Sequence, residues 1–300
     1  MSQVSPDSPS DRLPFTPVVI IGAGRSGTNA LRDMLTRLPL FSTWACDEIN
    51  PIWRHGNALW PTDEIPPECA RPVVRRYIRR AFLRLWRQTG NPRFVVEKTC
   101  ANSLRIPFVD AVLPEARYLY IVRDGTDVVA SACRRWQGEL EVPGLKYFMA
   151  KLRYAPLCDL PLYGFSFMKN RLALLFGGRR RLGTWGPQFA GMDNYVDAGL
   201  EELCARQWIA CVLQSDLAFE SIDSNRVLAL RYEDLAAEPA ATLSAILSFL
   251  DANAAEADIA TAVAPITNFA VGKGRRLLHA LHPEIRALME RPMRAHGYVR

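Results

Sequence analysis

A chain of 300 residues that is 49% apolar and 23% charged is enough for one large α/β domain, or two small ones, with a substantial core, which excludes the disordered class. Its net charge of +6 favours anionic partners, among them nucleotides, acidic glycans, lipid head groups and nucleic acid. Seven cysteines, odd in number and without a CxxC pair, imply a reducing compartment, and no run of about 18 apolar residues exists to span a bilayer.

Residues 1–17 carry Ser, Pro and Asp without an apolar segment, so a flexible tail is expected ahead of a single domain over 18–300. Val18, Val19, Ile20 and Ile21 form a β-branched run that predicts a strand buried on both faces of a parallel sheet. The run opens into Gly22-Ala23-Gly24-Arg25-Ser26-Gly27-Thr28-Asn29. Ala30, Leu31, Met34, Leu35 and Leu38 then recur at helical spacing until Pro39. Further strands are predicted at 93–96, 118–122 and 227–230, with helical periods over 71–88, 126–136 and 200–220. This alternation predicts an α/β fold in three layers, a central parallel β-sheet flanked by helices, with ligands at the carboxyl ends of the strands. Residues 138–200, dense in Gly, Pro and aromatics, interrupt the order and are expected to form an acceptor-side insertion.

The glycine loop admits three readings. As a dinucleotide fingerprint, Gly22, Gly24 and Gly27 would approach a pyrophosphate, but 41–46 is a poor candidate for the strand that must deliver Asp47 or Glu48 to a ribose. As a Walker A loop it has Thr28 where the phosphate-binding lysine should stand. In the third reading the backbone amides of residues 26–29 cap an anion, the Ser26 and Thr28 hydroxyls donate to it, and Arg25 supplies the cation. In this form the loop resembles the 5'-phosphosulfate loop of the sulfotransferase family, with Arg25 in place of the usual lysine.

A second match is independent of the first. In Arg123-Asp124-Gly125-Thr126-Asp127-Val128-Val129-Ala130-Ser131, an arginine ends a strand and a serine follows eight residues later on a helix. This resembles the family's 3'-phosphate motif, in which a guanidinium and a hydroxyl face one dianion. Glu97-Lys98-Thr99 resembles the segment that carries a sulfuryl-contacting lysine in glycan sulfotransferases. Glu48 stands where the glycan 3-O-sulfotransferases carry their general base, although Asn50 replaces the histidine found there; Asp47 is the alternative base. Gly272-Lys273-Gly274-Arg275 resembles the family's closing glycine-basic loop over the 3'-phosphate, without its usual tryptophan. Leu230-Arg231-Tyr232-Glu233-Asp234-Leu235 reads as strand-to-helix scaffolding.

The resemblance implies a P-loop-NTPase-like sulfotransferase fold. It also implies 3'-phosphoadenosine 5'-phosphosulfate (PAPS) as donor and adenosine 3',5'-bisphosphate (PAP) as product, without a metal. Gly24, Arg25, Ser26, Gly27, Thr28, Asn29, Arg123, Ser131, Lys273, Gly274 and Arg275 would bind the nucleotide; Glu48, Lys98 and Arg25 would be catalytic. The acceptor expected from the Glu48 and Lys98 matches is a glycan or glycolipid hydroxyl, with an aryl or natural-product hydroxyl and a non-catalytic nucleotide-binding module as alternatives. Seven arginines and no acid over 71–88 add peripheral contact of a cytoplasmic protein with an anionic membrane; nucleic acid is not an expected partner.

Overall fold

The computed structural model describes residues 12–136, 186–195, 197–276 and 281–299. Most of the expected tail and most of the acceptor-side insertion lie outside these residues. Five parallel strands stand in the order β2-β3-β1-β4-β5, where β1 is Thr16–Ile21, β2 Phe41–Ser42, β3 Phe94–Lys98, β4 Arg117–Val122 and β5 Val227–Arg231. The helices are α1 (Thr28–Leu35), α2 (Asn50–Trp53), α3 (Pro72–Gln88), α4 (Ile106–Val112), α5 (Gly125–Trp136), α6 (Leu200–Phe219), α7 (Tyr232–Ala237), α8 (Pro239–Phe249), α9 (Glu256–Val263) and α10 (Pro283–Ala295).

Strand periodicity decides the layers. Val19, Ile21, Val95, Tyr118 and Tyr120 point to one core, with α3, α4, α5 and α6; Val18, Ile20, Val96, Leu119 and Ile121 point to the other, with α1, α7 and α8. β1 is buried on both faces because it lies between β3 and β4 and carries no polar residue after Thr16. The result is the three-layer P-loop-like α/β fold.

Residues 41–46 look too polar for a strand, yet Phe41 and Ser42 form the edge strand β2. It pairs with Phe94 and Val95, and Phe41 stacks on Phe94 at 4.9 Å. An edge strand needs only one buried anchor, so two residues suffice. The chain then leaves the sheet, sinks Trp44 edge-on against Phe82 of α3 at 4.7 Å, and is free to carry Asp47 and Glu48 over the carboxyl end of β3.

Candidate functional site

β1 ends at Ile21 and α1 begins at Thr28, so the glycine loop sits at the carboxyl edge of the central strand. No side chain caps α1, and its first amides face outward from an N-terminus that carries partial positive charge. Gly27 has φ +91°, and a Cβ there would lie 2.2 Å from Cδ2 of Tyr232. Arg25 also adopts a left-handed conformation, φ 73°, at a cost of about 1–2 kcal/mol for a side-chain-bearing residue. Such strain persists only where neighbours enforce it. Here Nη1 of Arg123 donates to the Arg25 carbonyl (3.2 Å), and Nε of Arg25 donates to Ser131 Oγ (3.0 Å).

Three segments distant in sequence therefore meet at one pole. Arg123, 6% exposed, lies 4.4 Å above the ring of Tyr232 and pairs with Asp127 at 3.3 Å. Asp127 in turn accepts the amides of Gly272 (2.7 Å) and Gly274 (2.5 Å), which fastens the glycine-basic loop against the start of α5. A Cβ on Gly274 would stand 2.1 Å from the carbonyl oxygen of Thr126. Lys273 folds onto the Phe269 ring (3.0 Å), Arg275 is exposed, and Asn29 is exposed on the first turn of α1. Gly274→Ala should consequently release this loop and weaken the binding of a phosphate ester at this pole about tenfold or more, with a small change in melting temperature because the loop is surface-borne. Calorimetric titration beside thermal unfolding measures both.

This pole is electropositive and incompletely satisfied. Burial, then the guanidinia of Arg135, Arg123 and Arg134, push Arg25 below the ordinary arginine value. Ser26 Oγ and Arg123 Nε are buried and have no hydrogen-bond partner among the described residues. Each such orphan costs about 1–3 kcal/mol unless a ligand takes it. An anion with several acceptor oxygens fits that demand, and a phosphate ester is such an anion.

The second pole lies across Thr28. Its hydroxyl is 3.7 Å from Cys100 Sγ, and the Cys100 amide donates to Oε1 of Glu48 at 3.2 Å. The same oxygen receives Lys98 Nζ at 3.2 Å, while Asp47 Oδ1 receives Lys98 at 2.9 Å and Arg32 at 2.8 Å. Lys98 is not a surface lysine: its side chain is 2% exposed. Burial alone would lower its pKa, but the carboxylates of Glu48 and Asp47 outweigh burial and hold it above the ordinary lysine value. For Asp47 burial raises the pKa, and Lys98 with Arg32 more than reverses that, so it stays a carboxylate below its usual range.

Behind this pole is a buried polar network. Glu97, fully buried at the end of β3, accepts Thr99 Oγ1 (2.5 Å) and Asn102 Nδ2 (2.8 Å), and Thr99 Oγ1 receives the amide of Ile49 (3.2 Å). Burial pushes the Glu97 carboxyl up to about 7. Asn50 belongs to this network and not to the Glu48–Lys98 pole, since its Oδ1 accepts Arg105 (2.6 Å) and its Nδ2 donates to Asp63 (3.4 Å). The structure thus joins Arg25, Ser131, Arg123 and Gly274 in one pole and Thr28, Glu48, Asp47 and Lys98 in the other. Asp127, Arg32, Cys100 and Tyr232 complete them and were not marked by the sequence. Asp127 could have been found, because it stands one helical turn beyond Arg123 at the start of a helix.

Residues 17–154 match the family model described as Sulfotransferase family. Among solved structures, the sulfotransferase domain from the curacin biosynthetic pathway superposes with TM-score 0.54 and 14% identity, covering 96% of this chain and 99% of that one. A sulfotransferase from Mycobacterium avium gives 0.56 and 13%, covering 95% and 78%. These two likenesses are of fold. No curated protein matches the sequence.

Proposed function

We propose that this chain, of the sulfotransferase family across residues 17–154, moves a sulfuryl group from PAPS to a hydroxyl of a glycan or glycolipid. Sulfuryl transfer is the family's activity; donor and acceptor are our reading. The observation that carries the donor is the anion-demanding pole, in which buried Ser26 Oγ and Arg123 Nε have no hydrogen-bond partner among the described residues while guanidinia converge on Arg25. Arg123, Ser131 and the Gly274 loop would hold the 3'-phosphate, and the amides of residues 26–29 with Ser26, Thr28 and Arg25 the 5'-end. Lys273 and Arg275, on the rim, would add charge at longer range.

The reaction forms a bond between acceptor oxygen and sulfur, breaks the bond from sulfur to the bridging phosphate oxygen, and releases PAP. Bound PAPS supplies the activated sulfuryl group. Glu48 takes the acceptor proton through Oε2, since Oε1 is committed to Lys98 and the Cys100 amide. Lys98, held charged by two carboxylates, and Arg25 stabilise negative charge as it grows on the bridging oxygen. Asp47, clamped by Arg32 and Lys98, positions the lysine and is the poorer base. The charge that a kinase takes from magnesium would here come from side chains. A reducing cytoplasm is the compartment this reading expects, and among the described residues no helix is long and apolar enough to cross a membrane.

Titration separates this from the other nucleotide readings. PAP should bind in the micromolar range or tighter and raise the melting temperature, whereas ATP with magnesium and NAD should bind at least about tenfold more weakly. Binding of ATP or NAD without a response to PAP would overturn the donor assignment. Radiolabel transfer to glycan, glycolipid and aryl hydroxyls then identifies the acceptor, and no transfer to any of them would leave a nucleotide-binding module.

A further inference from the structure

One face of α3 is used neither by the core nor by the transfer chemistry. Val73, Arg76, Arg80, Arg84 and Arg87 follow one another at steps of three and four and are all exposed, so they lie along a single stripe about 21 Å long. Residues 71–88 contain no acid. None of the four arginines forms an ion pair among the described residues, whereas Arg79, on the inner side of the helix, pairs with Glu115 at 2.6 Å. Like-charged neighbours one turn apart destabilise a helix slightly, and solubility does not need four of them in a row.

At its N-terminal end the stripe meets an apolar tip. Arg71 Nη2 donates to the Gly56 carbonyl (2.6 Å) and Asn57 Nδ2 to that of Cys69 (3.3 Å), which fixes the loop over 56–64 beside the first turn of α3. Leu59 is 80% exposed, Val73 57% and Trp60 37%. The loop is not loose: Arg54 gathers the carbonyls of Ala58, Trp60 and Thr62 and pairs with Asp63 at 2.9 Å. Asp63 accepts from Asn50, two residues beyond Glu48, which ties the loop that carries the apolar tip to the segment that brings Glu48 to the carboxyl edge of the sheet.

A soluble polyanion would use the arginines and leave Leu59, Trp60 and Val73 without a role. A bilayer uses both, because apolar side chains enter the head-group layer while guanidinia bind lipid phosphates beside them. We infer that this face docks the protein on an anionic lipid bilayer, with Leu59 and Trp60 inserted, α3 lying along the surface and the Glu48 edge turned toward the membrane. An acceptor carried on a lipid would then reach Glu48 without leaving the bilayer. That corollary rests on the sulfuryl-transfer reading; the docking itself does not.

Co-sedimentation of the full chain with vesicles tests it. The protein should bind phosphatidylcholine vesicles containing phosphatidylglycerol at low ionic strength, be released by salt, and ignore phosphatidylcholine alone. R76E/R80E/R84E/R87E should lower partitioning on the order of a hundredfold or more, at about fivefold for each arginine charge lost. Leu59→Ser with Trp60→Ser should lower it several-fold and leave the salt dependence in place. All six positions are exposed or half-exposed, and circular dichroism with PAP titration verifies that each variant is folded. Absence of binding to the mixed vesicles, equal binding to neutral ones, unchanged binding by both variants, or retention on heparin with none on vesicles would each overturn the inference. Vesicle binding without any PAP binding would leave the docking standing and remove the donor.

Discussion

Glu48→Gln lowers turnover by roughly 10²–10⁴-fold, the usual weight of a general base, while affinity for PAP stays nearly constant. The substitution suits the site because glutamine keeps an oxygen where Oε1 now accepts the Cys100 amide and Lys98, so the loop should not move. The proton acceptor is lost together with one of the two carboxylates beside Lys98, and Asp47 remains to hold the lysine charged. Asp47→Asn acts differently, since Asp47 already spends its charge on Lys98 and Arg32 and is held below the ordinary carboxylate range. It weakens the positioning of Lys98 and should cost about tenfold in turnover. The decisive comparison is kcat for the two variants beside PAP affinity. A larger loss in Asp47→Asn would exchange their roles, and a large loss of PAP affinity in Glu48→Gln would remove it as the base.

What the sequence made legible was whatever is local in the chain. β1, the glycine loop and α1 are contiguous, and Arg123 and Ser131 share one strand-to-helix unit, so period and spacing sufficed to find them. The pairing of Glu48 with Lys98 joins residues fifty positions apart, and nothing in either segment states the contact; only the resemblance to sulfotransferases brought them together. β2 escaped because a two-residue edge strand leaves almost no periodic signal. Asn50 was marked as a departure from the family's pattern, and its place in the Arg105–Asp63 network gives the physical reason it does not face the reacting groups. Tyr232 was read as scaffolding, which the fold supports in part. Yet its ring also sets the space that only a glycine at position 27 can leave, and it lies under Arg123, contacts across more than a hundred residues of sequence.

Arg123→Gln should weaken PAP by roughly 30-fold to several thousand-fold, the range expected when one partner of a desolvated charge contact is truncated. Glutamine is two bonds shorter and gives up the contacts that Arg123 Nη2 makes to Asp127 and, at 2.6 Å, to the Ala270 carbonyl, but the amides of Gly272 and Gly274 continue to satisfy the Asp127 carboxylate. The fold therefore survives, and what disappears is the guanidinium that faces the proposed 3'-phosphate. A purely structural role for Arg123 would weaken all adenine nucleotides together. Recognition of the 3'-phosphate makes a sharper demand: the variant loses affinity for PAP but binds adenosine 5'-monophosphate about as well as the unaltered protein does, so that its preference for the bisphosphate collapses. Because the contact is ionic, the salt dependence of PAP binding should flatten in the same variant. Parallel losses for both nucleotides, with the preference intact, would show that Arg123 shapes the loop through the Arg25 carbonyl and does not read the phosphate.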